Sequence, residues 1–384
     1  MIDRGFWINE INKTWKQTPI VWLTGVRRSG KTTLCRTFAD AKYLNCDLRQ
    51  TAVLVEDPEV FYRSVKEPIV VFDEIHQLDD PSRLLKIGAD VFPHLRILAT
   101  GSSTLAATKK FRDTLTGRKR SVVLTPVLFH ELPAFGIKDL RDRLFRGGLP
   151  KALLANESDE GFYGEWLDSY FARDIQELFH VEKRAGFLRL LEAMLRQSGG
   201  LAELSNFAKT CSLSRPTVLN YLEVFQMTHV VHVLRPYHGG GRQEILQQPK
   251  IFGFDTGFVR YANGWNDLRE ADCGTLWEHL VLDVLLTYAP AGRIHFWRNK
   301  QKQEVDFVIA RGRQAADAIE CKWRAAAFDP GALRAFRLLH PAGRNIVLAP
   351  DLSAALHKKI GGLEVDFIPL EQLPEIITTP GDSQ

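Results

Sequence analysis

The chain has 384 residues, 45% of them hydrophobic and 25% charged, with a formal net charge of +4 at pH 7. This is ordinary globular material, enough for two to four domains; no stretch approaches 18 consecutive apolar residues, which excludes a helical membrane span, and the mild charge permits nucleic-acid contact without requiring it. The five cysteines, Cys35, Cys46, Cys211, Cys273 and Cys321, are scattered with no C-x-x-C pair, which points to reduced thiols in a cytoplasmic protein.

The first residues, Met1-Ile2-Asp3-Arg4-Gly5-Phe6, carry no basic segment followed by an apolar run, so no secretory leader is expected. Residues 19–24 are apolar and β-branched and predict a strand. Directly behind them, Gly25-Val26-Arg27-Arg28-Ser29-Gly30-Lys31-Thr32 is a complete G-x-x-x-x-G-K-T phosphate loop, and residues 33–40 read as the helix that follows. Gly25 and Gly30 let the backbone fold around an anion, with N–H groups at the helix start aimed at phosphate oxygens. The loop predicts binding of ATP with Mg²⁺ by Gly25, Arg28, Ser29, Gly30, Lys31, Thr32 and Thr33. Lys31 would reach the β- and γ-phosphates and the Thr32 hydroxyl would reach the metal.

A second apolar strand, residues 68–72, ends in Asp73-Glu74. That order suits Asp73 as a Mg²⁺ ligand through water and Glu74 as the catalytic group that polarises the attacking water; His76 reads as local structure. A third strand, residues 95–100, runs into Gly101-Ser102-Ser103, where Ser102 or Ser103 could orient that water. Leu115-Thr116-Gly117-Arg118-Lys119-Arg120 precedes a strand at 121–124. Arg118, chosen over Arg120, is the candidate arginine finger acting on a neighbouring subunit, which would make the active unit an oligomer. Strands alternating with helices, each polar at its C-terminal end, predict a parallel α/β sheet with the ligand at that edge.

Residues 137–183 are helical in pattern, with a stripe of Phe162, Trp166, Leu167, Tyr170, Phe171, Ile175 and Leu178 that reads as core of a lid or bridge. Helices at 187–197, 201–210 and 214–227 follow, the last with Ser214 as its cap. Two β runs, 228–234 and 250–254, flank His238-Gly239-Gly240-Gly241-Arg242. This is the winged-helix order. Arg215, Thr217, Asn220 and Tyr221 are available to a DNA groove, and Arg235 and Arg242 to phosphates, although the helix is not strongly basic.

Residues 273–288 predict a helix carrying Glu278. Strands at 294–298, 304–309 and 316–323 follow, with a turn at 311–313. Glu320 and Lys322 share a strand face and the short turn brings Asp306 beside them. Glu278, Asp306 and Glu320 could hold Mg²⁺, with Lys322 steadying a water or developing charge in phosphodiester hydrolysis.

Together, the phosphate loop, Asp73-Glu74, Thr100-Gly101-Ser102-Ser103 and Leu115-Thr116-Gly117-Arg118 resemble the prokaryotic AAA-type ATPases of the AAA_14 group. Phe145-Arg146-Gly147-Gly148-Leu149-Pro150, Tyr170-Phe171-Ala172-Arg173-Asp174-Ile175, Phe296-Trp297-Arg298, Glu304-Val305-Asp306-Phe307 and Ile319-Glu320-Cys321-Lys322 resemble the DUF4143 region that follows them. The resemblance spans about residues 2–369. It implies an α/β P-loop core over residues 1–135, a helical lid over 136–184, a winged helix over 185–260 and a PD-(D/E)xK nuclease-like domain over 270–370. In that fold Glu278, Asp306, Glu320 and Lys322 fall on the catalytic set; Val305 stands where the motif has proline. The leading expectation is an oligomeric Mg²⁺-dependent ATPase, hexameric ring included, that remodels or translocates on duplex or branched DNA, with metal-dependent cleavage by the C-terminal domain. The alternative is a signalling or defence switch whose nuclease-like domain is a non-catalytic interaction module. A site-specific transcription regulator is a weaker third, since base-reading chemistry is confined to Arg215 and Asn220.

Overall fold

The computed structural model describes residues 2–101, 109–157, 159–176, 184–239, 248–289, 292–312 and 315–378. Ser102 and Ser103 lie outside the described residues, as do Gly240, Gly241 and Arg242 of the expected wing.

Strands β1 (Ile20–Thr24), β2 (Ala41–Asn45), β3 (Ile69–Asp73), β4 (Arg96–Thr100) and β5 (Lys119–Val123) form a parallel sheet in the order β2-β3-β4-β1-β5. Alternating side chains feed two cores. Ile20, Trp22, Val70, Phe72, Ile97 and Ala99 pack on one face with Tyr62, Leu85 and Phe111. Val21, Leu23, Val71 and Leu98 pack on the other with Trp7, Ile11, Trp15 and Leu34. Burial on both faces is why these strands read as unbroken apolar runs, as parallel strands do. The helix behind the phosphate loop is shorter than expected, Lys31–Cys35. The chain then turns, with Phe38 packed edge-on against Trp15, and enters β2. β2 went unseen in the sequence because it is an edge strand with mostly half-buried residues and no clear alternation.

The rest of the chain surrounds a mixed eight-stranded sheet. Its strands are β6 (Val231–Pro236), β7 (Lys250–Gly253), β8 (Ile294–Arg298), β9 (Glu304–Ala310), β10 (Ala316–Cys321), β11 (Asn345–Leu348), β12 (Leu356–Ile360) and β13 (Leu363–Ile368), ordered β12-β13-β11-β10-β9-β8-β6-β7. Helices Arg184–Arg196, Leu204–Cys211 and Arg215–Met227 come in the expected sequence, and the Ser214 hydroxyl caps the third by accepting from Thr217 N at 3.2 Å. The β6–β7 hairpin is not a free wing. β6 also pairs in parallel with β8 through Arg235↔His295 and Pro236↔Phe296, so the hairpin forms one edge of the C-terminal sheet. Tyr221 is not offered to a groove either: its ring meets Phe187 edge-on at 5.0 Å. One hydrophobic core joins Trp166, Phe187, Phe225, Phe252, Trp277, Phe307 and Ile368, and Val26 of the phosphate loop belongs to it.

The helix Thr256–Asn263 and strands β11–β13 were not anticipated. Asp255 starts that helix, accepting from Gly257 N at 2.9 Å and Phe258 N at 3.4 Å. Among the described residues no helix is long and apolar enough to cross a membrane.

Candidate active site

The phosphate loop leaves the C-terminal end of β1, at the sheet edge where parallel α/β folds bind ligands. Gly25 has φ +137°, and a Cβ there would lie 2.2 Å from the Leu124 carbonyl, so only glycine lets the loop pass β5. Gly30 (φ +100°) starts the Lys31–Cys35 helix, and a Cβ there would point toward Pro150 across a cleft. Arg28 adopts φ +62° and lays its guanidinium over the Phe162 ring. Lys31 Nζ donates to the carbonyls of Gly25 (2.9 Å) and Val26 (3.0 Å). Burial lowers its pKa, while Glu74, Asp174 and Asp73 pull the other way. Beneath the loop, buried Arg4 donates to the Ser29 carbonyl at 3.0 Å and forms a two-pronged pair with buried Glu131.

Asp73 and Glu74 sit at the end of β3. Asp73 is buried, with Oδ2 accepting from Tyr43 Oη at 2.7 Å and Oδ1 from Thr100 Oγ1 at 2.6 Å. The same Thr100 oxygen accepts from Glu74 N at 2.9 Å. Glu74 is held at φ +58°, uncommon for a residue with a side chain and a recurrent sign of a functional position. Its carboxylate lies 3.3 Å from His76 Nδ1. Burial raises its pKa, against the pull of Lys31 and His76.

The cleft, about 710 Å³, is lined by Gly25, Arg27, Arg28, Gly30, Lys31, Thr32, Thr33 and Glu74 on the loop side. Pro150, Lys151, Tyr170, Arg173, Asp174 and Thr228 form the opposite wall. Predicted Ser29 and Asp73 do not line the cleft; Ser29 is fully buried, and among the described residues its hydroxyl has no hydrogen-bond partner. The loop is clamped from across the cleft. Trp166 Nε1 donates to the Arg27 carbonyl at 3.0 Å, Asp174 pairs with the Arg27 guanidinium at 3.2 Å, and His229 Nε2 lies 3.4 Å from Thr24 Oγ1. The lining suits a phosphate group: two loop glycines, the cations Lys31, Arg28, Lys151 and Arg173, and the residues Thr32 and Thr33 all border the cleft.

Arg118 is elsewhere. Its carbonyl accepts from Ile20 N, at the start of β1, so one strand length, about 13 Å, separates it from its own phosphate loop. Its guanidinium pairs with Asp90 through both oxygens, at 2.6 and 2.9 Å. Within its own chain Arg118 does not serve the cleft. The arginine that does, Arg173, stood in the quoted Tyr170–Ile175 motif; the structure gives that segment π-helical geometry.

A second cluster lies on the C-terminal sheet. The β9–β10 register, Ile319↔Phe307, puts Glu320 across from Asp306, and Asp306 Oδ2 accepts from Cys321 N at 2.8 Å. Lys322 Nζ is 2.6 Å from Glu320 and 3.7 Å from Asp306. Glu278 does approach from its helix, Glu270–Tyr288, but toward Lys250 of β7, whose Nζ lies 3.9 Å from it and 2.5 Å from Glu304. Burial raises the pKa of both Glu278 and Glu320 to about 8, with Asp306 adding to each. Among the described residues no three His, Cys, Asp or Glu side chains are grouped to hold a metal ion. Asp306 and Glu320 remain a two-carboxylate donor set, and among the described residues the buried Glu320 Oε1 has no hydrogen-bond partner, which fits a site for a cation that keeps most of its waters. Lys250 and Glu304 were missed as site residues; an isolated lysine in a polar segment carries no motif.

Residues 17–133 match the model of an AAA domain. Residues 137–269 and 273–373 match two domains of unknown function, DUF8612 and DUF4143. The chain is 25% identical over 321 residues to an uncharacterized protein of Mycobacterium tuberculosis, Rv2008c, covering 80% of this chain and 71% of that one. An uncharacterized protein of Haemophilus influenzae is 23% identical over 297 residues, 69% of this chain and 74% of that one. Among solved structures, the Walker-type ATPase PABY2304 of Pyrococcus abyssi matches with a TM-score of 0.43 and 16% identity, over 68% of this chain and 96% of that one. The N-terminal segment thus carries a phosphate loop on a parallel sheet and is similar to AAA domains.

Proposed function

We propose that this protein is a Mg²⁺-dependent ATP hydrolase that works as an oligomer on duplex or branched DNA, with its C-terminal carboxylates adding a metal-dependent site for phosphodiester cleavage. The observation that carries the ATPase reading is the convergence of Lys31, Glu74 and Thr100-anchored Asp73 at one sheet edge, facing Arg173 across the cleft. Bound Mg²⁺–ATP supplies the phosphoanhydride that is split. Around it, the loop N–H groups and Lys31 would hold the phosphates, and Thr32 and Asp73 would hold the metal, which would neutralise the phosphate charge. Glu74 orients the attacking water and takes its proton on the carboxylate; its raised pKa brings it nearer the range of an effective base. Arg173 and Lys151 add positive charge from the far wall. Nucleotide turnover would thereby act on the segments that follow the parallel sheet, since Trp166 and Asp174 touch the loop and His229, just after the Arg215–Met227 helix, touches β1.

DNA contact is supported by the capped helix Arg215–Met227, which exposes Arg215 and Asn220. ATP turnover should be measured with no DNA and with duplex, forked and four-way DNA, alongside binding over a salt series. The proposal expects stimulated turnover and a binding constant that falls steeply with salt. Turnover indifferent to every DNA, with no salt-dependent binding, would contradict the DNA reading. It would favour the switch ATPase with a non-catalytic C-terminal module. Lys250 favours that second reading, since it already pairs with Glu278, a carboxylate a nuclease would give to metal.

A further inference from the structure

We propose that Asp174, on the far wall of the cleft, occupies the place of a nucleotide's third phosphate on Arg27, so that a triphosphate must displace it and a diphosphate need not. This rests on the reading of the cleft as a nucleotide site and adds the residue that sets its discrimination between ATP and ADP.

The Arg27–Asp174 pair is built as an exchangeable contact. Arg27 Nη1 reaches Asp174 Oδ2 at 3.2 Å, the two side chains are 26% and 29% exposed, and both line the cleft. Among the described residues the buried Arg27 Nε has no hydrogen-bond partner. The guanidinium therefore does not use the two-pronged geometry that holds carboxylates and phosphates most strongly. Arg4 and Glu131, beneath the same loop, do use it, through Nε and Nη2, and both are buried. The lower pair is a fixed support, and the upper pair can be exchanged for another anion.

The position of the carboxylate selects the third phosphate. Burial raises the Asp174 pKa, against the pull of Arg27, Lys31 and His76, so the carboxylate faces those three side chains. Lys31 Nζ is tied to the Gly25 and Val26 carbonyls, and His76 Nδ1 lies 3.3 Å from Glu74. Asp174 thus stands between the tip of the loop and the residues at the end of β3. The water that Glu74 would activate attacks the third phosphate, so that phosphate is the one that belongs beside Glu74 and His76. A carboxylate and a phosphate repel each other beside one guanidinium, and binding of the triphosphate moves Arg27 from one anion to the other. The Tyr170–Ile175 segment that carries Asp174 has the wider π-helical turn found at functional positions.

The test is calorimetric titration of the full chain with ADP and with the non-hydrolysable triphosphate AMP-PNP, each with Mg²⁺. Asp174→Asn, with Asp174→Ala as a second variant and circular dichroism to establish folding, should bind AMP-PNP about fivefold more tightly or better and ADP within about twofold of the parent. Arg27→Met should lose about tenfold in AMP-PNP affinity and less than about threefold in ADP affinity. Weaker or unchanged AMP-PNP binding in both Asp174 variants, or an equal gain for the two nucleotides, would overturn the assignment of Asp174 and leave the nucleotide site standing. A parent protein that binds neither nucleotide would overturn the reading of the cleft, and this proposal with it.

Discussion

Thr100 makes two hydrogen bonds with one hydroxyl, donating to Asp73 Oδ1 and accepting from Glu74 N, and so sets the direction of both acidic groups. Thr100→Val keeps the shape and removes both bonds. It is expected to lower kcat by about 10- to 100-fold with KM nearly unchanged, as loss of a positioning contact does, measured by steady-state ATPase kinetics. At Gly25 the constraint is steric: Gly25→Ala would drive a methyl into the Leu124 carbonyl at a φ alanine rarely adopts. A loss of more than ~1 kcal/mol of stability is expected in denaturant unfolding, together with loss of nucleotide binding. The placement of Gly25, Lys31, Thr32, Asp73 and Glu74 at one sheet edge was legible in the sequence because each motif is contiguous and follows its own strand. The Arg118–Asp90 pair was not, because the partner lies 28 positions earlier and nothing local announces it. Arg173 and Thr228 reach the cleft, and His229 reaches β1, only through tertiary packing.

Single elements carry the coupling between the two parts of the molecule. The turn after the Arg215–Met227 helix places His229 against Thr24, and burial, with Lys31 adding, pushes the imidazole pKa down to about 4. The unfolded chain takes up this proton near pH 6.5, the folded chain only near 4. The unfolded state therefore binds the proton first as pH falls. The stability that His229 gives by staying neutral is present above pH 6.5 and lost on descent toward pH 4. His229→Gln should flatten that part of the stability–pH curve relative to the parent, read by urea unfolding at pH 7, 5.5 and 4.5; an unchanged slope would contradict the placement. Ser214→Ala, which removes the cap on the same helix, is expected to cost about 1 kcal/mol by the same measurement. The three-helix order and its cap were readable because capping and 3.6-residue periodicity are local. The fate of the following hairpin was not, because β6 finds β8 across about sixty residues of chain and a parallel pairing leaves no turn signature. The same long-range pairing brings Lys250 to the carboxylates.

At the scale of the whole molecule, the cleft lies between the phosphate loop of the parallel sheet and residues 150–228 of the following helices, so on the proposed reading a bound nucleotide would touch both. Arg118 stands at the start of the edge strand β5, a strand length from its own phosphate loop, and acting on a neighbouring subunit would require it to exchange Asp90 for phosphate. On the oligomer proposal, Arg118→Ala should bind nucleotide normally and fail to hydrolyse it, a loss on the order of 10³-fold or more. Mixing it with Lys31→Ala should restore part of the activity. Full specific activity in a strictly monomeric preparation at high dilution would contradict the trans role. The central claim, that this cleft hydrolyses ATP with Glu74 as the base, is tested most directly by one comparison: nucleotide affinity and single-turnover hydrolysis of the parent and Glu74→Gln, in Mg²⁺. The account predicts ATP affinity within a few-fold of the parent and hydrolysis slowed by at least about 100-fold. Hydrolysis by Glu74→Gln at the parent rate, with binding intact, would contradict it.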